Sequence, residues 1–236
     1  MHQEHPLSSD APTESAKPRL NLMFSNLELV IAVLLGLVSI ATAYASFQAA
    51  LYDSQMAGSY TKGSTQSTEA ESLYLEANQQ FLEDTQVWNR LAELDIEKDS
   101  TDAAIAADAT GKYDTLTFQA VSTDFAAAIA RADAENTADA TVYHSPLDDK
   151  EYQSTLFGSY AETQAKSVAT ISQGDVYNSF SDRLTLNTVL MSISLFLLGI
   201  AALVRQFRVQ LVLMSTGVVI FVVAAALTAM IPYVGL

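Results

Sequence analysis

The chain has 236 residues, half of them hydrophobic, with a net charge of −15 and no cysteine. The missing cysteine removes disulfides, thiolate catalysis and cysteine-held zinc or iron–sulfur centres together. The acidity disfavours nucleic acid and anionic lipid as partners.

The charge is unevenly spread. Between Asp53 and Arg183 stand 23 acidic and 8 basic residues, so this segment carries the whole excess and the remainder is neutral. An acidic surface that keeps a helical segment solvated is the plain reading; a surface that concentrates cations or meets a basic partner is the sharper one.

Residues 1–24, rich in Ser, Pro and charge, read as a flexible cytoplasmic tail. His2, Glu4 and His5 make a poor metal site on such a terminus, and no metal or cofactor is expected anywhere in the chain. Ser25 and Glu28 stand in the S-x-x-E spacing of a capping box, immediately before an apolar run. The first transmembrane helix is therefore assigned to 25–52, with Glu28 as a capping carboxylate rather than a transport group. The steps Ala41-Thr42-Ala43 and Ala43-Tyr44-Ala45 resemble a signal-peptide cleavage site. The long polar leader and the apolar character continuing through Phe47, Ala49 and Leu51 favour an uncleaved anchor instead.

Ala41, Ala45 and Ala49 recur every four residues on this span, a small-residue stripe that lets helices approach closely. Thr42, Ser46 and Gln48 lie beside it, as polar packing or, in an alternative reading, as a pore lining. Tyr60, Tyr74, Phe81 and Trp88 then share one heptad phase, so the helix is expected to continue beyond the membrane with an aromatic seam for packing or oligomer contact.

The segment 53–183 reads as an acidic, helical, extracytoplasmic domain. A break at "DIEKDSTDAA" precedes one amphipathic pattern from Tyr113 through Leu116, Ala120, Val121, Phe125 and Ile129 to Ala132, bounded by Gly111 and "ENTADAT". In "HSPLDD", Ser145 suits a helix cap and Pro146 its first position. Tyr152, Leu156, Tyr160, Val168 and Ile171 carry a weaker stripe towards Arg183, with Gly174 as a flaw. The exterior is expected to be two long extensions of the membrane helices, bridged by shorter ones.

A second transmembrane helix is assigned to 184–204, a cytoplasmic turn to 205–208, a third transmembrane helix to 209–232 and an extracytoplasmic C-terminus to 233–236. Runs of roughly 20 apolar residues suffice to cross the hydrocarbon layer, and helices satisfy their own backbone there. Lys17, Arg19, Arg205 and Arg208 are the topology determinants. Positive residues in short loops stay cytoplasmic, which puts the N-terminus inside and 53–183 outside. No ionisable residue lies deep in a span, which argues against a proton-coupled carrier.

No phosphate-binding glycine loop, nucleophile elbow or H-E-x-x-H zinc motif occurs. His144 beside Ser145, with Asp148 and Asp149, makes a weak hydrolase candidate because Ser145 already has a capping role. Glu83-Asp84 and Asp148-Asp149 lack the spaced oxygen ligands of a calcium loop.

"ATAYASFQAALYDSQ", the polar helix with Asp84 and Trp88, and "SDRLTLNTVLMSISLFLLGIAALVRQFRVQLVLM" resemble a family of uncharacterised prokaryotic integral membrane proteins. Its members have one N-terminal and two C-terminal transmembrane helices around an outer helical region. The chain departs from that pattern in having Tyr44 and Tyr52 where the family favours Trp. The family has no assigned activity, so the resemblance implies no functional residue.

The expectation is an all-α protein of the prokaryotic cytoplasmic membrane. It is non-enzymatic and serves as a scaffold or accessory subunit that forms a homo-oligomer or docks to a larger membrane complex. The alternative is an oligomeric, cation-preferring channel with an acidic outer vestibule.

Overall fold

The computed structural model describes the backbone of residues 18–235 and the side chains of residues 27–235. Every element among the described residues is helical: α1 (Pro18–Lys98), α2 (Ala103–Ala120), α3 (Thr123–Ala138), a 3-10 turn (Pro146–Asp148), α4 (Lys150–Leu203) and α5 (Phe207–Ala229). Three of them, α1, α4 and α5, are long and apolar enough to cross a membrane, the make-up of a multi-pass membrane protein. The described residues divide into two compact units, one of residues 18–54 with 177–235, the other of residues 55–176.

The first unit joins the N-terminal part of α1, the C-terminal part of α4 and α5. Val38, Ala45, Met191, Leu198 and Ala224 form its core. The reason for small residues is visible at Gly217, where an added Cβ would lie 3.2 Å from Leu198 Cγ and 3.4 Å from the Ser194 carbonyl oxygen. Ser194 Oγ, fully buried, donates to the Gly217 carbonyl at 2.7 Å. Helices packed in an apolar solvent gain little from burying leucine, so close backbone approach and side-chain-to-backbone hydrogen bonds hold them instead. Leu29, Val33, Ile40, Phe196, Val212 and Val219 point outward, as lipid contact requires.

The second unit joins the rest of α1 and α4 with α2 and α3. Phe125, Ala128 and Tyr152 form its main core, with Phe81, Trp88 and Leu156 packed against it. Phe125 meets Trp88 edge-on at 6.4 Å and Tyr152 at 5.3 Å between ring centres. Burying one such ring is worth about 1.5–3 kcal/mol. Farther along, α1 and α4 touch at Gly63, where an added Cβ would lie 2.5 Å from Ile171 Cγ1, and Ser167 Oγ donates to the Gly63 carbonyl at 2.7 Å.

Several boundaries differ from the sequence reading. Helix α1 begins at Pro18, so Ser25 and Glu28 lie inside it rather than capping it. The pattern from Tyr113 to Ala132 is two helices: Val121 and Ser122 are extended, and the Ser122 hydroxyl accepts from the Phe125 amide to restart the chain as α3. Gly111 sits within α2, since a lone glycine costs a helix only about 1 kcal/mol.

Gly174 is no flaw in α4, because its bare Cα faces the Tyr60 ring, 2.7 Å from where a Cβ would stand. Ser145 caps the 3-10 turn, with Pro146 at its start, whereas Asp149 caps α4 by accepting from the Tyr152 amide at 2.7 Å. The turn between α4 and α5 is Val204–Gln206, and α5 ends at Ala229 rather than 232.

Candidate functional site

Residues of the expected packing or oligomer seam make contacts inside the chain. Ala45 is buried among Val38, Met191, Leu198 and Ala224, with Ala41 packed against that core. Ala49 packs with Tyr52 and Leu184. Tyr74 contacts Phe157 and Tyr160, Phe81 contacts Phe157, and Trp88 contacts Phe125.

Two of the three pore-lining candidates, Thr42 and Gln48, are engaged within the chain. The Thr42 hydroxyl donates to the Val38 carbonyl at 2.7 Å. Gln48, buried, donates to the Val234 carbonyl at 3.3 Å and accepts from its amide at 3.1 Å. Ser46 is exposed. Arg205 and Arg208 are exposed at the α4–α5 turn, while Lys17, the side chain of Arg19, and His2, Glu4 and His5 lie outside the described residues.

Around the 3-10 turn the polar groups serve the fold. Arg131 donates twice to Asp149, at 2.9 and 2.7 Å, and this pairing holds the Asp149 carboxyl down at about 2. Asn136 brackets His144 by exchanging hydrogen bonds with its backbone amide and carbonyl. With Ser145 capping and Asp149 held by Arg131, these groups do not converge as a nucleophile, base and orienter would.

One buried polar group stands apart. Asp84 on α1 is 1% exposed, accepting from the Tyr152 hydroxyl at 2.6 Å and from Gln80 Nε2 at 3.1 Å. Burial first, then the hydrogen bond and charge of Asp84, push the Tyr152 phenol well above its ordinary range. Tyr152 therefore stays a neutral donor. No ion pair among the described residues includes Asp84.

Asp84 lines a cleft of about 670 Å³ bounded by α1, the start of α3 and α4. Gln80, Glu76 and Glu83 come from α1, Ser122 and Asp124 from the α3 cap, and Tyr152, Thr155 and Ser159 from α4. Sequence reasoning weighed Glu83-Asp84 as a calcium pair lacking the spaced ligands, and Asp84 otherwise only as part of the resemblance. The signal for Asp84 was its register: three residues after Phe81 and four before Trp88, it falls on the packed face of α1, where a carboxylate is unusual.

No family model, curated protein or solved structure matches this chain.

Proposed function

We propose that the chain is a non-enzymatic scaffold or accessory subunit of the prokaryotic cytoplasmic membrane, with its N-terminus inside and residues 53–183 outside. The orientation is supported by the positive residues flanking the spans. The resemblance to uncharacterised proteins with one N-terminal and two C-terminal spans is consistent with it.

The docking part of the reading rests on one observation. Leu75, Leu82 and Ile96 are 66%, 52% and 77% exposed, at heptad spacing on α1, one position over from the aromatic row that the chain uses internally. Asn89 completes the heptad phase. A row of this period is what a second helix packs against, and a single polar residue in it sets register. Glu76, Glu83, Glu93 and Glu97 stand nearby on the same helix. The occupant is therefore a partner helix with an apolar seam and lysine or arginine flanks, since a second acidic copy would be repelled.

Gentle purification of the full chain carrying Leu75→Gln, Leu82→Gln and Ile96→Gln tests this. The partner is lost while helix content and melting stay as in the parent. Retention of the same complex would refute the docking row, and a dimer of this chain lost in the triple variant would replace the partner with a second copy. The orientation has its own test, made simple by the absence of cysteine. A membrane-impermeant maleimide labels Phe118→Cys in intact cells and Gln206→Cys only after permeabilisation; the reverse pattern inverts the topology.

A further inference from the structure

We infer that residues 231–234 form a strap latched across the end of the first unit remote from the α4–α5 turn, and that its release opens an apolar cavity behind it. The role is separate from the docking row. Helix α5 stops at Ala229, and Pro232, three residues on, cannot continue it. The Ile231 amide donates to the Thr228 carbonyl at 3.2 Å as the chain turns. Beyond that bond, no backbone-to-backbone hydrogen bond holds 231–234 among the described residues.

Two side chains of α1 hold the strap instead. Gln48 Nε2 donates to the Val234 carbonyl at 3.3 Å, and the Val234 amide donates to Gln48 Oε1 at 3.1 Å. The Tyr52 hydroxyl donates to the Pro232 carbonyl at 2.7 Å. Four residues apart, Gln48 and Tyr52 stand one turn from each other on the same face of α1. Ile231 and Val234 pack onto the cluster of Ala49, Tyr52 and Leu184.

This latch opens as a unit. Gln48 and Tyr52 are each 2% exposed, and a polar group withdrawn from water costs free energy once its partner leaves. The strap therefore cannot slacken at Val234 without orphaning Gln48, so opening goes together with entry of water to both side chains. Behind it lies a cavity of about 530 Å³. Ile231, Pro232 and Tyr233 form one wall, facing Ala41 of α1, Met191 of α4 and Ala225 of α5. Tyr233, between the two held residues, is 69% exposed, so the other face of the strap is uncovered among the described residues.

Amide exchange of the full chain in detergent reads the strap at Val234, whose N–H is accepted by Gln48. Slow exchange is expected in the parent. Tyr52→Phe leaves that bond in place but removes the partner of Pro232, and should speed Val234 exchange about tenfold. The absence of cysteine allows a second reading, labelling of Ala225→Cys by N-ethylmaleimide. Gln48→Leu should speed that labelling by a similar factor, with helix content unchanged. Fast exchange in the parent overturns the strap, and parental exchange in Tyr52→Phe overturns the concerted latch. Parental labelling in Gln48→Leu overturns the gated cavity. Should Gln48→Leu fail to fold, Tyr52→Phe takes its place in the labelling, with the same outcomes deciding.

Discussion

The two units of this chain are built from shared helices yet solve packing in opposite ways. In the first, alanine, glycine and serine meet at the closest contacts, as at Ala45, Ala224, Ser194 and Gly217, beside Val38, Met191 and Leu198, while Leu29, Val33 and Phe196 face outward. In the second, the rings of Phe125, Trp88 and Tyr152 fill the contacts, glutamate, aspartate and threonine face outward, and one carboxylate is buried. The difference is the one that a hydrocarbon solvent around the first unit and an aqueous one around the second would select. Where the solvent is hydrocarbon, burying a large apolar side chain gains little and close approach gains most. In water the large rings supply the driving force.

That contrast breaks most readily at Phe125. Phe125→Ala removes a fully buried ring and costs about 3–5 kcal/mol. Thermal melts followed by circular dichroism should show the second unit losing its cooperative transition. A melt indistinguishable from the parent would mean that the aromatic core is not what holds that unit.

Overpacking separates the two kinds of contact at a smaller scale. Gly63→Ala meets Ile171 and backbone at once and costs about 1–3 kcal/mol, and Gly217→Val does the same in the first unit. Gly58→Ala, with nothing within 4 Å of the added carbon, is neutral or slightly stabilising through helix propensity. Equal melting temperatures for Gly63→Ala and Gly58→Ala would contradict close approach at Gly63.

Acid probes one contact of the second unit. The Asp149 carboxyl is lowered from 3.8 to about 2, chiefly by Arg131. Its stabilising contribution is therefore complete above pH 3.8 and is lost as pH falls towards 2. Arg131→Met should lower the neutral-pH melt and flatten this part of the acid limb, measured by melts across that range. The smallest effect is expected at Phe118, 90% exposed on α2, where Phe118→Ser changes stability by less than about 0.5 kcal/mol.

Much of the fold was legible in sequence because its signals are long. Three uncharged runs, a heptad of aromatics, the break at "DIEKDSTDAA" and turn chemistry at Ser145 need only periodicity and local hydrogen bonding to be read. The split at Ser122 was missed because the apolar period passes through Val121 into Phe125 without losing phase, so one capping hydroxyl decided it. The start of α1 was misplaced for the converse reason: Ser25 and Glu28 have capping spacing, but a helix already under way from Pro18 leaves no free amide for them to cap.

The site was less legible. Asp84 was seen in its sequence pair with Glu83, although α1 turns the two to different surroundings, one buried and one exposed. Its partner Tyr152 lies 68 residues away, and nothing local links them. The aromatic row stood out in sequence as a packing or oligomer seam, but its partners within the chain, Phe125, Phe157 and Tyr160, could not be read there.

Helicity, the three membrane-grade runs and the acidic middle segment were thus determined by the order of residues alone, because hydropathy and helical period act over a few turns. Which rows are spent internally, and which remain open at Leu75, Leu82 and Ile96, was decided only by tertiary structure. So was the burial of Asp84 against Tyr152, because both outcomes depend on how α3 and α4 lie against α1, a long-range choice that no local period encodes.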